Sequence, residues 1–96
     1  MINIEEKHLK IVISILSHYP YIFYVFGSRI TPHVKKFSDL DLFYKDKIPD
    51  SALQKMQEDF EESDLPFTVD LVDYNKCDET FKKILDYQHV ALTHPA

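Results

Sequence analysis

The chain has 96 residues, of which 45% are apolar and 28% charged, with a formal net charge of −5 and one cysteine. That length allows a single domain over residues 1–96, and the apolar share allows a packed core, expected over about 3–86 with a tail at 87–96. The lone Cys77 excludes an internal disulfide, the acidic balance argues against direct nucleic-acid binding, and no apolar stretch suits a membrane span or a secretory signal, so a cytoplasmic protein is expected.

In chain order, Asn3 is positioned to cap a helix, with Glu6 reaching back as its capping-box partner. Ile4, His8, Ile11, Val12, Ile15 and Leu16 recur at helical spacing, Leu9 and Ile13 widen the stripe, and Pro20 stops it. His8 lies within that stripe and reads as a packed residue. Residues 21–26, Tyr-Ile-Phe-Tyr-Val-Phe, are aromatic and β-branched without a breaker and predict a strand buried on both faces. Gly27, the only glycine in the chain, then stands where the backbone must turn sharply or meet a ligand.

Ser28 to Phe37 predicts a polar connection with a short helix interrupted by Pro32. A second strand is expected over Asp39 to Phe43, and a helix after the Ser51/Gln54 capping pair, with Ala52, Leu53, Met56 and Phe60 on one face. A third strand follows over Phe67 to Val72. Asp78 is expected to cap a last helix with Phe81, Ile84 and Leu85 inward. The order α-β-(short α)-β-α-β-α predicts an α/β fold, a small mixed sheet with helices packed on it.

The chemistry gathers around Gly27. Side chains alternate along a strand, so Asp39 and Asp41 leave the same face. Two carboxylates held side by side repel, and a hard divalent cation with oxygen ligands relieves them. A glycine turn offers backbone N–H groups to a phosphate. Asp70 opposes Val69 and Leu71 on the third strand, and a charge there is costly unless paired or bound to metal. If that strand lies beside the second, three carboxylates converge and could hold two metal ions around a phosphoryl centre. Asp73 falls on the opposite face and reads as surface or helix-approach polarity. Charge is also uneven: residues 28–47 carry five basic side chains against three acidic, and residues 48–96 four against eleven. The mild cationic excess surrounds the candidate phosphate site, while the acidic half reads as a solvated face or an acidic docking surface.

Gly27-Ser28-Arg29, then Ser38-Asp39-Leu40-Asp41-Leu42, then Val69-Asp70-Leu71-Val72-Asp73 resembles the minimal nucleotidyltransferase family of the DNA polymerase β-like superfamily, over roughly residues 10–90. The resemblance implies a polymerase β-like palm. It implies that Gly27, Ser28, Arg29 and Ser38 form the nucleotide-binding set, with Gly27 and Ser28 on the β- and γ-phosphates and Arg29 reaching toward phosphate or nucleotide. Asp39, Asp41 and Asp70 would be the catalytic metal ligands, holding two magnesium ions, or manganese in their place. The reaction would move AMP from ATP to a hydroxyl. Short members resemble antitoxins that adenylylate a tyrosine of a partner HEPN-domain toxin, and a homodimer or a hetero-oligomer is expected. Ile30-Thr31-Pro32 departs from the family loop, which often carries a second glycine, and Pro32 removes an N–H donor there. Two other readings stay open. One is a non-catalytic antitoxin that occludes its partner. The other is transfer to a small molecule of aminoglycoside type.

Overall fold

The apolar stripe of the first third of the chain folds into α1, Glu6–Leu16, with Val12 and Leu16 buried. Its N-cap is Glu5, which makes no side-chain cap bond. Asn3, expected to cap this helix, turns elsewhere: its N–H donates to the Arg29 carbonyl at 2.6 Å and its side-chain amide to the Thr31 carbonyl. A capping side chain is a local choice, and here a carbonyl 28 residues away outcompetes it. A computed structural model describes residues 2–32, 34–35 and 37–92.

The aromatic run after Pro20 yields β1, Phe23–Phe26, shorter than the expected strand and buried only at Phe23 and Val25. Phe26 passes directly into a 3-10 turn over Gly27–Ile30, where an α-helical piece was expected. The second strand is β2, Leu40–Tyr44, and the second helix α2, Asp50–Glu61. Pro49 occupies the N-cap of α2 and no side chain caps it, so the Ser51/Gln54 box does not form. The third strand is β3, Val69–Asp73. Asp73 ends it and accepts from the Asn75 N–H at 3.0 Å, starting a short 3-10 turn, as the reading of helix-approach polarity had it. The last helix is α3, Glu79–Tyr87, and Asp78 caps it as expected, its Oδ1 accepting from the Phe81 N–H at 2.8 Å.

The strands form one mixed sheet in the order β3-β2-β1, with a fourth strand, β4, Val90–Leu92, on the outer side of β1. β4 corrects the expectation of a loose tail from 87: Phe23 pairs with Leu92 and Val25 with Val90. The rest of that tail, residues 93–96, lies outside the described residues. β2 runs antiparallel to β1 and parallel to β3. Period-two alternation then sorts the side chains. Phe23, Val25, Leu40, Leu42, Tyr44, Val69 and Leu92 face one way and join Val12 and Leu16 of α1 with Met56 and Phe60 of α2 in the main core. His8 is packed, as expected, with its ring edge-on to Phe67 at 5.8 Å. The opposite face carries Tyr24, Phe26 and Phe43 and is only partly roofed by α3, whose Leu85 is fully buried and whose Phe81 meets Phe26 edge-on at 5.9 Å. Ile84 corrects the inward assignment: it is 57% exposed. Among the described residues no helix is long and apolar enough to cross a membrane.

Candidate active site

The site begins with strand register. Phe26 pairs with Asp41, and Asp41 pairs with Asp70. Residues opposed across neighbouring strands project to the same face. Phe26, Asp41 and Asp70 therefore form a row across three strands on the partly roofed face. Parallel pairing of β2 with β3 is what brings a carboxylate from residue 70 next to one from residue 41. The sequence pattern leaves that juxtaposition conditional, because nothing local says which strands are neighbours.

Asp41 sits at the centre of the row. Burial pushes its carboxyl pKa above the usual range, and the charges of Asp70 and Asp39 and a hydrogen bond to the Asp70 side chain push it the same way. Asp39 and Asp70 are exposed and Asp41 is half-buried. Asp41 with two solvent-exposed acids in electrostatic reach of it is a hard-oxygen donor set of the kind that divalent cations prefer. The donor chemistry fits a cation. The described residues are not already drawn together as a set of three metal ligands, so the carboxylates share a rim and do not form a closed cage.

Gly27 closes the other side of the row. Its φ is +78°, in the left-handed region that L side chains avoid. A Cβ added there would lie 2.8 Å from Asp41 Oδ2. The lone glycine is thus required twice, for the turn and for the approach of the carboxylate. Ser28 follows half-buried, its carbonyl accepting from the Thr31 hydroxyl at 2.8 Å and the Thr31 N–H at 3.1 Å.

Arg29 is not extended toward the rim. It is 4% exposed, with Nε and Nη2 donating to the Ser38 carbonyl at 3.2 and 2.7 Å and Nη1 to the Asn3 carbonyl at 3.1 Å. Its guanidinium also lies 4.5 Å from the Phe67 ring centroid. Burial lowers its pKa from the ordinary arginine value. The expectation that it reaches for phosphate is corrected: its fork is occupied by two backbone carbonyls and a ring. Ser38 likewise acts in this structure through its carbonyl, as the acceptor that Arg29 holds. The spacing rules do not detect this brace, since its partners are backbone atoms 9 and 26 residues distant. Its one local signal is an arginine set among turn residues with no acid beside it.

The fold is that of a polymerase β-like nucleotidyltransferase, a mixed sheet carrying helices on both faces. Residues 10–93 match the family model described as "Polymerase beta, Nucleotidyltransferase". A Haemophilus influenzae (strain Rd) protein named "Probable protein adenylyltransferase MntA" is 36% identical over 95 residues, covering 95% of this chain and 83% of that protein. A chain from a crystal structure of the toxin–antitoxin MntA–HepT superposes with a TM-score of 0.58 at 18% identity, covering 95% of this chain and 74% of that one. One from a mutant of that pair gives 0.61 at 21%, covering 91% and 73%. At those identities the structural likeness is one of fold. The family match and the curated relative go further: the chain belongs to the polymerase β nucleotidyltransferase family and is a nucleotidyltransferase. Enzymes of this family act on a nucleotide with a divalent metal.

Proposed function

We propose that this protein transfers AMP from ATP, with magnesium, to a hydroxyl of a partner protein, a tyrosine of a HEPN-domain toxin, and so serves as an antitoxin. The observation that carries the reading is the row Phe26–Asp41–Asp70 set against a glycine with no room for a side chain. The likeness to a protein named as an adenylyltransferase, and to chains of a toxin–antitoxin pair, supports the acceptor class.

The residues divide the work as follows. Backbone N–H groups at Gly27 and the Ser28 hydroxyl hold the β- and γ-phosphates. Asp39 and Asp41 would hold two cations, and Asp70 would complete the second site. Bound there, divalent cations would tie the triphosphate to the carboxylates and offset charge developing at the α-phosphorus. The acceptor oxygen attacks that phosphorus, the bond to the bridging oxygen breaks, and pyrophosphate leaves with the electron pair. Asp70 receives the hydroxyl proton. Arg29 fixes Ser38 and with it the backbone that carries Asp39.

The test combines labelled ATP, magnesium and the candidate partner protein. Wild type is expected to label the partner, and the Asp39→Asn, Asp41→Asn double variant is expected to fall to background while remaining folded. In cells expressing the toxin the same variant is expected to lose protection. Full protection by the double variant would support neutralisation by occlusion instead.

A further inference from the structure

The reaction proposed above consumes a phenolic hydroxyl, and the chain itself carries six tyrosines. Tyr44 is 5% exposed and sits in the core. Tyr19 donates its hydroxyl to Asp59 Oδ2 at 2.6 Å, and Tyr74 donates to the Asp86 carboxylate at 2.9 Å. Tyr21 and Tyr24 are half-buried, and the Tyr24 ring is stacked on Phe43 at 4.9 Å. Tyr87 differs from all of these. It closes α3, is 88% exposed, and its hydroxyl bonds to no described residue. Ile84 and Lys83, three and four residues earlier, share its side of the helix, and both are exposed. These three side chains line a groove of about 490 Å³ that none of Asp39, Asp41 and Asp70 lines. Tyr87 therefore does not stand at the carboxylate row of its own chain.

We infer that Tyr87 is a self-modification site, adenylylated by a second copy of this chain. The inference rests on the transferase reading above and adds an acceptor on the enzyme itself. The face that bears Asp41 and Asp70 is only partly roofed, and Asp39 and Asp70 are exposed, so the end of another copy's α3 has access to it. Ile84 offers apolar surface for that encounter. Lys83 brings a cation toward the anionic triphosphate. In the step, Tyr87 Oη of one copy attacks the α-phosphorus of ATP held by the other. The bond from that phosphorus to the bridging oxygen breaks, and pyrophosphate leaves with the electron pair. The phenolic proton passes to Asp70 of the copy that holds the ATP. AMP then remains on Tyr87 through a phosphodiester. Because donor and acceptor are different molecules, the rate per chain rises with protein concentration. A copy without its metal ligands still serves as an acceptor.

The test incubates the purified protein with labelled ATP and magnesium and no other protein. Wild type is expected to gain label, mapped to Tyr87 by peptide mass spectrometry, at an initial rate per chain that rises with protein concentration. Tyr87→Phe changes an exposed position, and a thermal melt confirms that it is folded. It is expected to drop to background self-labelling and still to transfer AMP to the candidate partner protein. The Asp39→Asn, Asp41→Asn double variant is expected to stay unlabelled alone and to gain label at Tyr87 when mixed with Tyr87→Phe. Wild type that labels the partner protein but not itself, or self-labelling that persists in Tyr87→Phe, overturns this inference and leaves the transferase reading standing. Label on wild-type Tyr87 that never reaches the double variant in the mixture overturns transfer between copies. Wild type that labels neither itself nor the partner protein removes the transferase reading and this inference together.

Discussion

A methyl group on Gly27 would meet Asp41 Oδ2 at 2.8 Å on a backbone already at φ +78°. The left-handed conformation costs an L-residue about 1–2 kcal/mol. The carboxylate is the part able to yield, so Gly27→Ala displaces Asp41 from its row. Activity should therefore fall further than stability: kcat/KM by about 10²-fold, against a loss of about 1–2 kcal/mol in urea unfolding. Comparable small losses in both would mean that the contact does not matter to the reaction. Asp41 also predicts a pH signature. Its folded pKa is raised by burial and by Asp70 and Asp39. A raised carboxyl contributes stability that is complete below the unfolded value of 3.8 and lost as pH rises through the folded value. Metal-free protein should thus lose stability as pH climbs from that point, and Asp41→Asn should remove the decline and raise Tm at neutral pH. Magnesium should raise Tm of wild type at neutral pH and leave the variant unmoved. Thermal melts across pH, with and without magnesium, check both.

Elements enter through Arg29, which joins three of them. The segment before α1 is held at the Asn3 carbonyl, the approach to β2 at the Ser38 carbonyl, and the approach to β3 through the Phe67 ring. Its own backbone belongs to the Gly27 turn. One side chain thus braces the segments leading to Asp39, Asp41 and Asp70. Lysine keeps the charge but has neither a planar fork nor a flat face to stack. Arg29→Lys leaves a part-buried carbonyl short of a donor and should cost about 1–3 kcal/mol. Because Ser38 precedes Asp39, it should also weaken divalent-cation binding. Urea denaturation and a manganese titration read the two effects, and a stability loss with unchanged manganese affinity would confine Arg29 to the scaffold.

Across the whole molecule, helices are divided unequally between the two faces of the sheet. α1 and α2 cover the core face, whereas α3 only partly roofs the face that bears Asp41 and Asp70. That asymmetry keeps the carboxylates open to solvent while the sheet beneath them stays packed. β4 completes the sheet by pairing with β1, the strand that leads into Gly27. Leu92 is its core anchor, 5% exposed. Leu92→Ala should cost about 2–5 kcal/mol in urea unfolding. A negligible loss would show that β4 is dispensable to the core.

The strand-and-helix alternation, the glycine turn and the Asp78 cap could all be read from residue order. Each follows from backbone geometry acting over a few residues, which a linear pattern records. Other features came from folding alone: the parallel register that sets Asp70 beside Asp41, the inward turn of Arg29, the diversion of Asn3 from its helix, the pairing of Val90–Leu92 with β1 and the outward face of Ile84. All of these depend on which distant segments become neighbours. That choice is made by the summed burial and hydrogen bonding of the assembled core, and no short window of sequence contains it.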